Sequence, residues 1–170
     1  MASQCIIIAP TRSKLLKKSK LSKPRKIVGI VRISVRNARR NKNIMLNDKL
    51  SYDIRGAAME VYNAFGPGLL ESVYQKALKR ELELRGHNVH TECSVPIVYK
   101  DEILDTSFRL DLIVDNKVII ELKSVEVVLP VHFKQLRTYL KLMNLNQGWL
   151  INFGEVDFAD GIYPVWNKTI

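Results

Sequence analysis

The chain has 170 residues, 46% of them apolar, and carries a formal net charge of +10 at pH 7. This length suits a single domain with a sizeable core. No apolar run approaches the roughly 18 residues of a membrane-spanning helix, and the N-terminal stretch CIIIAP is too short for a signal-peptide core. The two cysteines, Cys5 and Cys93, are too few for a disulfide framework and favour a reducing, cytoplasmic location.

The positive charge is concentrated near the N-terminus. Residues 1–50 contain 14 Lys and Arg and one acid, whereas residues 51–170 contain 13 Lys and Arg and 16 acids, giving +13 and −3. We therefore expect a basic, disordered arm at 1–44 followed by a domain at 45–170. Three interpretations of the arm stay open: it contacts nucleic-acid phosphates, it is a transit-like segment, or it is not native and Met45 is the true start.

Two helices are predicted at the start of the domain. Apolar residues at helical spacing indicate a first helix from residue 47, with Asn47 or Ser51 as its cap and the GPG sequence as its end. Its apolar stripe comprises Leu50, Ile54, Ala57, Ala58, Val61 and Phe65. The second helix, LLESVYQKALKRELELRG, ends at its glycine. Its predicted stripe comprises Leu70, Val73, Ala77 and Leu84.

Strands and one more helix follow. A helix is predicted at 129–144, where Pro130 suits the first turn. In the arm, a β-prone stretch at 27–35 allows a short strand. The other predicted strands cover 88–93, 96–100, 106–114, 117–124, 148–154 and the stretch GIYPVWN. This order predicts an α/β or α+β fold with a mixed central sheet flanked by helices.

The stretch RLDLIVDNKVIIELK, residues 109–123, reads as a tight hairpin with acids on apolar strands. Side chains alternate along a strand, so the pairing register decides which residues share a face. A two-residue turn pairs Asp111 with Ile120 and places Asp111 and Glu121 on opposite faces. Local turn chemistry mildly favours this register.

A register centred on Asn116 instead pairs Asp111 with Glu121. It would ask Lys117 to adopt a left-handed conformation, but it produces a clean apolar face. That face collects Leu110, Leu112, Val114, Val118, Ile120 and Leu122. Six apolar residues support the second register and only the turn preference opposes it, so we predict this register, with a three-residue loop or a bulge.

Opposed carboxylates repel each other unless one is protonated or a cation lies between them. Asp111 and Glu121, with a carbonyl and waters, make a suitable Mg²⁺ site. Lys123 beside them could orient or help deprotonate an attacking water, or stabilise charge on a phosphate. The alternative is a solvated strand face with an ordinary Glu–Lys pair.

GPGLLESVY places Glu71 and Tyr74 three residues apart, hence on one helical face. Glu71 lies in the first turn, where it complements the helix dipole or reaches the metal as a third acid. Tyr74 contacts substrate or belongs to the core.

PVHFKQLRTYL places His132, Gln135 and Tyr139 on one face of a helix. Gln135 could hold a phosphate oxygen or the attacking water, and His132 could contact substrate, although a lone His is more often structural. The basic residues of this helix, read as a solvated face or as phosphate contacts, are Lys134, Arg137 and Lys141.

Asp111 followed by Glu121-Leu122-Lys123 resembles the D…(D/E)xK signature of the PD-(D/E)XK nuclease superfamily, with Leu110 where the name has Pro. Gln135 with Tyr139 resembles the QxxxY motif of RecB-like members. Across roughly 47–166, five blocks resemble the GxxExxY family: GPGLLESVY, FRLDLIVD, VIIELKSVE, LPVHFKQLRTYL and LINFG.

The resemblance implies an αβββαβ, restriction-endonuclease-like core. It implies a Mg²⁺-dependent or Mn²⁺-dependent nuclease that leaves a 5′-phosphate, with nucleic acid as partner and no membrane. The implied metal ligands are Asp111, Glu121, the Leu122 carbonyl and Glu71. Lys123 would assist the water, and Gln135 would complete the catalytic set. The substrate contacts expected from motif and pattern together are Tyr74, Arg109, His132 and Tyr139.

Two other functions stay open. One is a catalytically silent nucleic-acid-binding or protein-binding module that retains the fold, which the −3 charge of residues 51–170 favours slightly. The other is an accessory subunit whose acids bind Mg²⁺ only for stability. A homodimer is also left open.

Overall fold

The computed structural model describes residues 49–167 and the backbone of two short strands, Ile6–Ile8 (β1) and Ile30–Arg32 (β2). β2 falls within the β-prone stretch 27–35, which confirms the strand expected there. The expectation of a basic, disordered arm at 1–44 stays a prediction. The rest of the arm, and the proposed cap at Asn47, lie outside the described residues.

The domain contains three helices and five strands among residues 49–167, besides a 3₁₀ turn at Phe158–Gly161. The helices are Lys49–Phe65 (α1), Glu71–Leu84 (α2) and Pro130–Met143 (α3). The strands are Val89–Tyr99 (β3), Glu102–Val114 (β4), Val118–Lys123 (β5), Gln147–Asn152 (β6) and Ile162–Trp166 (β7). The predicted order of elements is confirmed, except that 88–93 and 96–100 form one strand, interrupted by a register shift between Pro96 and Val98.

The strands form one mixed sheet in the order β2-β1-β3-β4-β5-β6-β7. β3, β4 and β5 run antiparallel in sequence, whereas β5 and β6 are parallel neighbours joined by the crossover through α3. β7 closes the edge antiparallel to β6. This arrangement confirms the predicted α+β fold with a mixed central sheet. No helix in the described part of the chain is long and apolar enough to cross a bilayer.

The core has two layers, one on each face of the sheet. On one face α1 and α2 bury Ile54, Leu78 and Leu82 against Leu112 and other strand residues. On the other face α3 covers the sheet with a second cluster, comprising Leu136, Leu140, Met143, Ile113, Ile119 and Leu150. Burial of apolar surface on both faces explains why β5 and β6 are almost continuously apolar.

The helix ends follow the glycine and proline signals. Gly66 (φ 65°) follows α1 and Gly86 (φ 86°) follows α2, conformations that glycine adopts without steric penalty. Pro130 begins α3, where its missing N–H costs nothing.

The predicted apolar stripes need two corrections. Phe65, at the end of α1, is half exposed, and the other five members of that stripe are buried or packed against the core. In α2 the buried residues are Tyr74, Leu78 and Leu82, whereas Leu70 and Leu84 are exposed. The buried face of α2 therefore includes Tyr74, which agrees with the core interpretation of this residue, and lies beside the face that the predicted stripe marked.

The predicted hairpin register is confirmed, because Val114 pairs with Val118 and Leu112 with Ile120 across a three-residue loop. The loop itself differs from expectation. Asp115 (φ 51°) and Asn116 (φ 54°) take the left-handed conformation, and Lys117 does not. Asp and Asn tolerate this region better than Lys, which removes the objection from turn chemistry.

The predicted apolar face also needs one correction. Leu110 packs with Cys93 and Ile113 on the α3 side of the sheet, opposite to Leu112 and Val114. Side-chain alternation therefore breaks near Asp111, beside Glu92, whose backbone is left-handed (φ 54°).

Candidate active site

A cleft of about 170 Å³ opens where the N-terminal turns of α2 meet β4 and β5. Its lining is almost wholly polar and includes Glu71, Ser72, Gln75, Glu92, Arg109 and Asp111, together with Leu122. Three of these residues carry carboxylates, so the cleft suits a cation or a ligand that brings one with it.

Asp111 occupies an interruption in the sheet. Regular pairing of β4 with β5 ends at Leu112, and β3 pairs with Leu110 and Leu112 but not with Asp111. The amide of Leu122 donates to Asp111 Oδ2 at 2.9 Å, and Gln75 Nε2 donates to the Asp111 carbonyl at 3.1 Å. Burial raises the pKa of the Asp111 carboxyl, and the Leu122 amide opposes that rise.

Glu121 is a buried carboxyl with unequal oxygens. It is 1% exposed, and its Oε1 accepts a hydrogen bond from Lys123 Nζ at 2.7 Å. Its Oε2 is buried without a hydrogen-bond partner among the described residues. Burial, reinforced by the negative charge of Asp111, raises the pKa of Glu121 to about 7. Near neutral pH this carboxyl is therefore divided between its acid and carboxylate forms, and a bound cation would hold it ionised.

Lys123 is the cation of the cluster. Its burial alone would lower its pKa, but the hydrogen bond to Glu121 and the charges of Glu121, Glu71 and Asp111 raise the pKa above its ordinary value. Lys123 is therefore protonated at neutral pH, which suits it to stabilise negative charge and not to accept a proton.

Glu71 was expected to complete a three-acid metal site. Within the described part of the chain, no three His, Cys, Asp or Glu side chains are grouped so that they could hold a metal ion. Glu71 Oε1 instead accepts a hydrogen bond from the amide of Ser124 at 3.2 Å. It is still close enough for its charge to raise the pKa of Asp111 and Glu121. The side-chain positions thus provide two neighbouring carboxylates, with the third engaged beside them.

The two carboxylates fit a hard divalent cation. Asp111, Glu121 and the Leu122 carbonyl would supply oxygen ligands, and Mg²⁺ typically uses one or two carboxylates and keeps several waters. The unpartnered Glu121 Oε2 supports this fit, because a buried carboxylate oxygen lacking a donor is costly unless a cation or proton binds it.

Gln135 and Tyr139 extend the cluster onto α3. Gln135 Nε2 donates to the Tyr139 hydroxyl at 2.9 Å. Burial raises the pKa of Tyr139, and the charges of Glu121 and Asp111 act in the same direction. The structure therefore brings the QxxxY pair to the side of the carboxylates.

Tyr74 requires a correction. Its side chain is fully buried, it stacks on Phe153 with ring centroids 4.3 Å apart, and its hydroxyl donates to the Gly66 carbonyl at 2.6 Å. A side chain without exposed surface does not contact a substrate. Tyr74 instead anchors the loop between α1 and α2, where its hydroxyl also accepts from the Leu69 amide.

Of two further predicted substrate contacts, Arg109 lines the cleft and His132 does not. The exposed guanidinium of Arg109 forms an ion pair with Glu92. His132 Nδ1 accepts a hydrogen bond from the Leu129 amide at 3.2 Å, so this nitrogen helps to cap α3. A substrate contact by either residue stays a prediction.

Sequence reasoning missed two residues that organise the site. Gln75 holds the Asp111 carbonyl, and its position one helical turn after Glu71 was the available signal. The Ser124 amide donates a hydrogen bond to Glu71 Oε1, and the Ser124 hydroxyl donates to the Leu69 carbonyl at 2.7 Å. Its place directly after Lys123 carried no distinctive pattern.

A family model of the PD-(D/E)XK nuclease superfamily matches residues 48–164, which is more than half of the chain. The protein therefore belongs to the PD-(D/E)XK nuclease superfamily. Comparison with curated proteins found no match, and neither did comparison with solved structures. The sequence-based assignment is thus confirmed at the level of the superfamily.

Proposed function

We propose that this protein is a divalent-metal-dependent nuclease acting on DNA or RNA, and that within the superfamily it falls in the GxxExxY group. The observation that carries the proposal is the Glu121 carboxyl, buried with one oxygen on Lys123 and the other unpartnered, beside Asp111. A buried carboxyl with a pKa raised to about 7, close to a polar cleft lined by Asp111, is typical of a functional site.

Asp111, Glu121 and the Leu122 carbonyl would hold Mg²⁺ or Mn²⁺. The bound ion would supply Lewis-acid activation of the attacking water and neutralise charge on the phosphate. Glu71 stays a candidate for this set; as a ligand it would have to exchange its hydrogen bond with the Ser124 amide.

Lys123 contributes a fixed positive charge. Because its Nζ is held by Glu121 and stays protonated, it can donate to a phosphate oxygen as negative charge develops during hydrolysis. A water oxygen would form the new bond to phosphorus and release a proton to solvent, and the bridging P–O bond opposite would break, its sugar oxygen taking up a proton from solvent to leave as a hydroxyl.

Tyr139 and Gln135 would contact the substrate together. The Tyr139 hydroxyl accepts from Gln135, which leaves its own hydrogen for donation to a phosphate oxygen. Arg109 at the cleft rim would bind a neighbouring phosphate, which would replace Glu92 as the partner of its guanidinium.

The proposal is tested with the full chain and labelled single-stranded and double-stranded DNA and RNA. Each substrate is incubated with Mg²⁺, with Mn²⁺ or with EDTA. We expect cleavage of at least one substrate with a divalent ion and none in EDTA. Absence of cleavage on every substrate with either ion would contradict the proposal.

The −3 charge of residues 51–170 favours one alternative, a silent binding module, because nucleases usually offer a basic groove. Such a module would bind nucleic acid or a protein without cutting, and Glu121→Ala would leave its binding unchanged. Cleavage that disappears in Glu121→Ala distinguishes the nuclease from it.

A further inference from the structure

The backbone of Asp111 is held from outside the sheet. Its neighbours Leu110 and Leu112 pair with β3, but Asp111 does not, and pairing with β5 ends at Leu112. The Asp111 carbonyl accepts from Gln75 Nε2, and its carboxylate accepts from the Leu122 amide. A residue without regular pairing on either side depends on such contacts for its position.

Two hydrogen bonds from α2 to the site come from one face of the helix, on successive turns. Glu71 binds the Ser124 amide, directly after Lys123, and Gln75 binds the Asp111 carbonyl. Residues four apart on a helix lie above one another, so α2 reaches β4 and the end of β5 from a single rigid element. The packing of Leu78 and Leu82 in the core secures that element.

We propose that Gln75 is a positioning residue, which orients the Asp111 carboxylate by holding the Asp111 carbonyl where the sheet does not. Loss of the Gln75 amide would leave this carbonyl without the donor and allow the strand to relax there. The Asp111 carboxylate would then lose its alignment with the Leu122 amide and with Glu121. The effect of losing Gln75 on metal affinity rests on the proposed function, whereas the effect on the Leu122 amide does not.

The test compares Gln75→Leu with Gln147→Leu in the full chain. Gln147 is a control of the same residue type, because its Nε2 also donates one side-chain hydrogen bond, to Ser51 Oγ away from the cleft; it is more deeply buried than Gln75, so it gives an upper limit for general destabilisation. Both variants lose one side-chain donor and keep a similar volume. Thermal unfolding is measured for each so that general destabilisation can be compared.

The first readout is amide hydrogen exchange without metal. In Gln75→Leu the Leu122 amide is expected to exchange faster while the amides of β6 keep their protection. In Gln147→Leu the Leu122 amide is expected to behave as in the wild type. Unchanged Leu122 exchange in Gln75→Leu, or equal acceleration throughout the sheet, would overturn the positioning role.

The second readout is the Mn²⁺ dissociation constant measured by electron paramagnetic resonance. Loss of a residue that orients a metal ligand commonly costs 10-fold or more, so Gln75→Leu is expected to weaken Mn²⁺ binding by roughly tenfold. Wild-type affinity in Gln75→Leu would overturn the inference. A wild-type protein that binds no Mn²⁺ would instead overturn the proposed metal site, and the Leu122 exchange would then decide the role of Gln75.

Discussion

Lys123 Nζ lies 2.7 Å from Glu121 Oε1, while the second oxygen of that carboxyl is buried without a partner in the described part of the chain. The Lys123 ammonium therefore provides a hydrogen-bond donor to only one of the two carboxylate oxygens. Unfavourable burial and the nearby charge of Asp111 raise the pKa of Glu121 despite the ammonium beside it. Because the pKa of Glu121 is raised, the stability of the metal-free protein should depend on pH, and this can be measured without a substrate.

Replacing Glu121 by Gln is expected to make the stability of the metal-free protein less sensitive to pH around neutrality. The folded-state pKa is about 7 against an ordinary value of 4.5. A raised pKa means that the stabilisation is fully present below the unfolded value and is lost as the pH rises through about 7. Between pH 5 and pH 8 Glu121→Gln should therefore gain stability relative to the wild type by up to roughly 3 kcal/mol, while the cost of leaving the Lys123 ammonium without its carboxylate is the same at both pH values.

Urea unfolding in EDTA at the two pH values measures this effect. Asp105→Asn is a suitable control, because Asp105 is exposed on β4, away from the cleft. If the difference in unfolding free energy between Glu121→Gln and the wild type does not rise from pH 5 to pH 8, the burial argument for Glu121 is wrong.

Replacing Lys123 by Met is expected to destabilise the metal-free protein, because it leaves the buried Glu121 carboxylate without its cation. Removing one partner of a buried pair costs roughly 3 kcal/mol or more. The double variant Lys123→Met, Glu121→Gln should recover most of this loss, since no buried charge is then unpaired. A double-mutant cycle at pH 8 measures the coupling; strictly additive effects would contradict a direct interaction.

His87 joins three parts of the fold at a distance from the cleft. Its Nε2 lies 2.9 Å from Asp53 Oδ2 on α1, and its Nδ1 lies 2.8 Å from Asp115 Oδ2 in the β4–β5 loop. Hydrogen bonds from Lys49 and His87 lower the pKa of Asp53. The pKa of Asp115 is also lowered: burial opposes this, but His87 and the Asn88 amide outweigh it.

His87→Ala is expected to lower the free energy of unfolding at pH 6 by about 1–3 kcal/mol, because both carboxylates lose a hydrogen bond. A lowered carboxyl pKa gives stability that is present above the unfolded value of 3.8 and disappears as the pH falls through the folded value. The difference between wild type and variant should therefore shrink at pH 3. Urea unfolding at both pH values provides the measurement, and an equal difference at both would refute the ionic contribution.

Tyr74→Phe tests the structural role assigned to Tyr74. The variant keeps the ring that stacks on Phe153 but removes the hydroxyl that bonds to Gly66 and Leu69. We expect a loss of about 1 kcal/mol in stability and an unchanged Michaelis constant for any substrate cleaved. A raised Michaelis constant without loss of stability would restore Tyr74 as a substrate contact.

The strand register was predictable because the apolar pattern of the two strands outweighed one local turn preference, although Leu110 lies on the other face. The order of helices and strands along the chain and the placing of Gln135 and Tyr139 on one helical face also followed from periodicity and motif spacing. These are features in which many residues, or a fixed helical repeat, point to one arrangement.

The rest depended on contacts between elements distant in sequence. The break in alternation at Leu110 lies opposite the left-handed Glu92 on β3, and no pattern within β4 indicates it. The bond from Gln75 to the Asp111 carbonyl spans 36 residues, and the engagement of Glu71 by Ser124 spans 53. Such side-chain to backbone bonds leave no periodic signal in a single sequence.

Metal-dependent cleavage by the wild type and by Glu121→Gln tests the central claim most directly. On the substrate that the wild type cleaves best, we predict that Mg²⁺ supports cleavage, that EDTA abolishes it, and that Glu121→Gln reduces it to background while Asp105→Asn retains it. Wild-type rates in Glu121→Gln, or undiminished cleavage in EDTA, would contradict a divalent-cation site at Asp111 and Glu121.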